Sequence, residues 1–205
     1  MSTLELKELS HPSGEVIKIA AGKTLDLKSQ GSVTMPTGSV LQVVSTTVSG
    51  TASASGYSNV SSGNGADLGL KTTITPFASG SSFYISVDIG IGSTTSGNTW
   101  VGVLSRDSTR IGNGPDASPN LGVMFRGIDH TGGSGSDTNH GLGASGSYLD
   151  TSGSTAGTAT EFFIGFYAES GAVKINEVES NYSGGGNTPA ATRTQSTITI
   201  MEIQG

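Results

Sequence analysis

Asp129-His130-Thr131-Gly132-Gly133-Ser134-Gly135-Ser136-Asp137-Thr138-Asn139-His140 places two histidines and two aspartates within twelve residues. By type these are metal ligands: imidazole suits zinc or nickel, and carboxylates suit calcium. If copies met on a symmetry axis, each would add its own set. The competing reading is a solvated loop, since the remaining positions are Gly, Ser, Thr and Asn, the residues of turns. His130, His140, Asp129 and Asp137 therefore stand as an alternative metal site, and no cofactor is expected.

Hydrolytic chemistry is poorly supported. Nucleophilic attack by Ser needs a strained turn, a His base and an acid to orient it. The G-x-S-x-G elbow is absent, and 32 serines beside only His11, His130 and His140 single out no triad. Glycoside cleavage needs two carboxylates facing each other across a groove. Asp107, Asp116, Asp129, Asp137 and Asp150 lie in loop-like stretches, where Asp serves turn geometry on its own. Gly90-Ile91-Gly92 and Gly112-Asn113-Gly114 are followed by no helical pattern, so neither is a phosphate loop. The expectation is a protein that is not an enzyme.

Aromatic residues point towards binding. Trp100, Tyr57, Tyr148 and Tyr182 sit beside Gly-, Ser- and Asn-rich stretches, where a flat ring can face a sugar while its polar tip stays wet. Binding usually resides on loops held by a rigid scaffold. These four are the receptor-binding candidates. Packing explains the same rings, and Trp100, lying in a strand-like run, would equally fill a groove between subunits. Phe77, Phe83, Phe125, Phe162, Ile164 and Phe166 read as core.

The elements that must position these residues are strands. Of 205 residues, 32 are Gly, 32 Ser and 25 Thr, too Gly-rich for a helical protein, because each Gly inside a helix costs roughly 1 kcal/mol relative to Ala. Phe83, Ile85, Val87, Ile89 and Ile91 give the best period-two run, and Leu68, Leu70, Thr72 and Ile74 share a face of another. Further strands are expected at Val40–Val48, Thr99–Leu104, Leu121–Phe125, Glu161–Ala168, Ala172–Val178 and Ser196–Ile203. Such a series joined by Gly-rich turns fits an all-β chain, an antiparallel β-sandwich or jelly roll over 36–205. In the last strand Ile198 and Ile200 share one face, Met201 and Ile203 the other. Either a neighbouring subunit covers the second face, or a β-bulge at Ile200 switches it.

Residues 1–35 differ. Val16–Ile19, Thr24–Leu27 and Ser32–Met35 are short strand-like runs with Gly22 and Gly31 between them, a turn about every eight residues. Each run offers few apolar side chains, too few to offset an ordering entropy of about 1–2 kcal/mol per residue. The segment is either a flexible arm with a hairpin or a slender stalk whose strands pack against other copies.

Net charge is −6. Residues 1–35 balance Lys7, Lys18, Lys23 and Lys28 against Glu5, Glu8, Glu15 and Asp26, whereas 36–205 hold six basic and twelve acidic side chains, so the whole excess lies there. No cluster of Lys and Arg exists to neutralise phosphates, so nucleic acid is not an expected partner. No apolar run approaches the ~20 residues of a bilayer span, and Met1–Ser10 lacks the basic-then-apolar pattern of a secretion signal. Without Cys there are no disulfides and no thiolate sites.

Pro36-Thr37-Gly38-Ser39-Val40-Leu41-Gln42-Val43-Val44, Lys71-Thr72-Thr73-Ile74-Thr75-Pro76, Tyr148-Leu149-Asp150 and the terminal Ser196-Thr197-Ile198-Thr199-Ile200-Met201-Glu202-Ile203 resemble, in order and spacing, the C-terminal knob of bacteriophage tail-fibre and virion-spike proteins, notably from marine phages. The arm resembles the short β-repeat stalks of such fibres. The resemblance implies a homotrimeric virion protein, made in the host cytoplasm. The arm would join other virion proteins, and the knob would attach to a host-surface glycan or protein. The alternative is a structural component, a capsid fibre or tail-assembly protein, with no receptor of its own. No binding residue transfers from the resemblance.

Overall fold

In a computed structural model, residues 21–22, 35–55, 64–93, 99–112, 123–128, 142–169, 171–176 and 194–205 are described. The chain divides into two units, Met1–Met35 and Pro36–Gly205. Of the first, only Ala21, Gly22 and Met35 are described, so its strand-like runs lie almost wholly outside.

The second unit is all-β among its described residues. Its strands are β1 (Val40–Val48), β2 (Ala52–Ser55), β3 (Ala66–Ile74), β4 (Ser82–Ser93), β5 (Thr99–Arg106), β6 (Thr109–Arg110), β7 (Phe125–Ile128), β8 (Leu142–Asp150), β9 (Thr160–Ala168), β10 (Ala172–Ile175) and β11 (Ser196–Ile203). They form two antiparallel sheets, one six-stranded and one five-stranded. In the six-stranded sheet β8 occupies one edge of β4 along Phe83–Ile91. The other edge of β4 is shared by β11, which leads to β1, and by β10, which leads to β2. The five-stranded sheet runs β3-β9-β5, with β6 and β7 beyond β5.

Alternation builds the core. Phe83, Ile85, Val87, Ile89 and Ile91 of β4 are all at most 3% exposed, and so are Ile198 and Ile200 of β11. They meet Leu68, Leu70 and Ile74 of β3, Phe162, Ile164 and Phe166 of β9 and Trp100 and Leu104 of β5 in one cluster. The rings of Phe83 and Phe162 touch edge-on, 5.2 Å between centroids. Each such side chain contributes about 1.5–3 kcal/mol by leaving water. The expected β-sandwich is present.

Part of the outer face of the five-stranded sheet, on β5 and β9, is also covered, with Val101, Val103 and Tyr167 packed in a second cluster. The approach to β3 crosses β9 there. A Cβ at Gly165 would run into the Asn64 carbonyl, so only Gly admits this close approach.

Several expectations need correction. Phe77 is 71% exposed instead of buried, because Pro76 ends the alternation of β3 and the next residues form a turn. The strand expected at Leu121–Phe125 begins at Phe125. The one expected at Ala172–Val178 stops at Ile175, where Asn176 turns the chain with φ 57°. Strands β2, β6 and β8 were not anticipated. β11 pairs with β4 without interruption from Thr197 to Ile203, so no bulge occurs at Ile200. Its inward face is Ser196, Ile198, Ile200 and Glu202, and Met201 and Ile203 face outward.

Candidate functional site

β8 is an edge strand among the described residues, and its first half, Gly143-Ala144-Ser145, has almost no side chain. Room is left on both sides of it. One cleft, about 410 Å³, is lined by Asp88, Ile89 and Gly90 of β4, by Gly143–Ser145 and by Thr194 and Gln195. The other, about 450 Å³, is lined by Trp100, Met124, Phe125, Arg126 and the same three residues of β8. Both volumes fall in the range that holds small ligands.

The floor of the first cleft is pinned by a buried polar network. Gly90 N–H donates to Ser196 Oγ (3.1 Å), and that hydroxyl donates to Asn176 Oδ1 (2.7 Å). Asn176 N–H in turn donates to the Gly90 carbonyl (2.9 Å), and its amide reaches the carbonyls of Val48 and Gly50. A Cβ at Gly90 would overlap the Thr194 hydroxyl, so Thr194 is seated on the β4 backbone. In the second cleft Phe125 lies against Gly102 and Gly146, where no Cβ fits beside its ring.

Two opposite charges flank the strand. Asp88 and Arg126 are exposed, and neither is ion-paired with a described residue. Hydroxyls and amide of Ser145, Thr194 and Gln195 lie beside Asp88, whereas aromatic rings lie beside Arg126. This arrangement offers hydrogen bonds to a small polar molecule, over a wall backed by the buried Trp100 and Phe125. Among the described residues it holds no nucleophile–base pair.

Two other carboxylates are buried and serve structure. Asp150 accepts from Arg106 Nη1 at 2.9 Å and from both the N–H and the hydroxyl of Ser152. The Arg106 guanidinium also covers the Phe83 ring at 5.4 Å. Glu202, 0% exposed, accepts from Gln42 Nε2 (2.7 Å), Ser81 Oγ (2.8 Å) and the N–H groups of Phe77 and Ala78. Burial alone would raise its pKa; the bonds from Gln42, Phe77, Ala78 and Ser81 outweigh it and hold the carboxyl below its ordinary value. These residues carried no sequence signal beyond type.

Of the binding candidates, Trp100 is 2% exposed and belongs to the core, contributing to the wall of the second cleft. Tyr148 is half-buried, its ring against Gly112, where no Cβ fits. Tyr57 and Tyr182 lie outside the described residues, as do His130, His140, Asp129 and Asp137. Among the described residues no group of three potential ligands is placed to hold a metal. Asp88 and Arg126 were missed, since an isolated charge in a Gly-rich sequence does not reveal that it borders a cleft.

No protein-family model matches the chain, and no curated protein sequence matches it. Among solved structures it is similar to the VP2 subviral particle of infectious bursal disease virus, at 12% identity and TM-score 0.34, over 88% of this chain and 42% of that one. The Gx strain of the same virus gives 14% identity and TM-score 0.33, over 89% and 41%. The chain spans about two fifths of those proteins' length. A likeness so distant assigns neither family nor activity.

Proposed function

We propose that this chain is a virion structural protein whose β-sandwich attaches the particle to a glycan on the host surface. The attachment reading is carried by the paired clefts beside β8, walled by Trp100 and Phe125 and bordered by Asp88 and Arg126. An open cleft with charged and hydroxyl groups at its rim and an apolar backing suits a sugar, which presents an apolar face and a polar edge. The virion reading is supported by the fibre-knob resemblance of 36–44, 71–76, 148–150 and 196–203. In this reading the knob is homotrimeric, and residues 1–35 join it to other virion proteins.

Purified protein on a panel of immobilised glycans and on host cells tests it. Arg126→Ala and Asp88→Asn are exposed changes that leave the fold intact and are expected to weaken binding at least ~10-fold, about 1.4 kcal/mol. If both variants bind cells as the parent does and free sugars do not compete, attachment through these clefts is wrong. A structural component without its own receptor then becomes the better reading.

A further inference from the structure

We infer that the outward face of the six-stranded sheet is the surface through which copies of this chain meet. The inference rests on the reading of the chain as an oligomeric virion component and names the surface that reading requires.

Cross-strand register puts Val43 beside Met201, Met201 beside Tyr84, and Tyr84 beside Leu149. All four point away from the core, and Val43 and Leu149 are 54% and 46% exposed. They form one continuous apolar row across four strands, about 14 Å at the usual strand spacing. Val40 and Ile203 pair next to it on the same side. The next two rows are hydroxyls, Ser45-Thr199-Ser86-Ser147 and then Thr47-Thr197-Asp88-Ser145. Neighbouring hydroxyls satisfy each other, Ser45 with Thr199 at 2.9 Å and Thr47 with Thr197 at 3.1 Å.

Asp88 is the single charge in these rows, and it sits about 14 Å along β4 from Tyr84. Exposed or half-exposed charges gather instead on the five-stranded sheet and its turns: Asp67, Lys71, Asp107, Arg126, Glu161 and Glu169. That asymmetry selects the occupant. Residues 36–205 of every copy carry six basic and twelve acidic side chains, so copies carry a net negative charge and repel on balance where their charged surfaces face each other. The approach is least opposed at the apolar row, about 14 Å from Asp88. Nucleic acid and anionic membranes need clustered exposed cations, and among the described residues these rows present none. Lys174 of β10, which alternates outward between Val173 and Ile175, is buried. A glycan would engage the hydroxyl rows but leave the apolar row wet. A Tyr and Met centre depleted of charge is the composition of a protein interface.

The test is light scattering with size exclusion on the full chain at micromolar concentration. The parent protein is expected at a multiple of 20.6 kDa. Val43→Glu and Leu149→Glu are expected at the monomer mass with an unchanged far-ultraviolet spectrum, and Thr73→Glu, on the other sheet, at the parent mass. A chain without Cys also allows single-site crosslinking by a short bis-maleimide. Met201→Cys should give linked copies and Thr73→Cys none, which settles the matter even if a Glu variant fails to fold. If both Glu variants keep the parent mass, or Met201→Cys does not crosslink in the oligomer, copies meet elsewhere and the oligomer reading survives. A monomeric parent protein overturns both.

Discussion

A carboxylate with no contact to water persists only where its oxygens are fully bonded, and those of Glu202 hold the last strand to the turn that follows β3. Gln42 completes the cage and also donates to the Thr75 carbonyl at 2.7 Å. Glu202→Gln keeps the shape but sets an NH₂ group against N–H donors. The expected loss is about 3 kcal/mol in urea unfolding, a large part of a domain's stability. The sign with pH follows from the lowered folded value. The charge stabilises fully above the ordinary glutamate value of 4.5, and that contribution disappears as pH falls through the lower folded value. Acid unfolding of the parent protein should therefore steepen below pH 4.5, and the Gln variant should lack that component. An identical acid profile for the two would show that Glu202 is not charged in the fold. Arg106→Ala is a second case: it leaves the 3% exposed Asp150 carboxylate without its cation, at an expected cost of about 3 kcal/mol or more. Lysine should recover only part of this, because it cannot also reach Ser152 and the Gly153 carbonyl as the guanidinium does.

Strands were legible where side chains alternate and illegible where there is little side chain. β4 could be read directly from Phe83 to Ile91, since both its pattern and its β-branched residues agree. β8, Leu142–Asp150, contains three Gly or Ala and two Ser before Tyr148 and has no pattern of its own; it becomes a strand because β4 offers a full edge to pair with. For the same reason the clefts beside it could not be foreseen, being made by side chains that are missing. The switch of apolar faces in β11 was visible in sequence, but its cause was not. Glu202 continues the buried face with a charged residue, and only the tertiary cage makes that tolerable. Backbone crossings were equally hidden. Gly165 reads as a weak strand residue, yet the Asn64 carbonyl passes over it. Gly165→Ala should therefore cost about 2 kcal/mol or more in chemical unfolding, because backbone must move. Gly50→Ala, where nothing lies within 4 Å, should change stability by at most about 0.5 kcal/mol. Equal effects would mean that β9 is not overlaid in this way.

At the scale of the whole molecule, folding and attachment separate. The Pro36–Gly205 unit has its own two-cluster core, so a protein beginning at Pro36 should melt cooperatively with a β-type spectrum. In the proposed reading it should also fail to enter particles, having lost the arm; normal incorporation would assign anchoring to the sandwich itself. Attachment makes a stronger demand on assembly. A shallow cleft with one charge and a few hydroxyls binds a sugar edge weakly, on the order of millimolar or about 4 kcal/mol. Linked copies on one particle raise the apparent affinity by ~10² or more without any new contact, since later binding events become intramolecular. Two kinds of variant should therefore lose cell binding differently. Arg126→Ala should weaken both a soluble sugar and whole cells, because it alters the cleft. Leu149→Glu should leave the affinity for a soluble sugar unchanged and reduce cell binding ~100-fold or more, because it alters only the number of clefts that act together. Calorimetry with free sugar and retention on cells measure the two quantities separately. Equal loss of both in Leu149→Glu would mean that the apolar row itself contacts the sugar; no loss of either would mean that single clefts suffice to hold the particle.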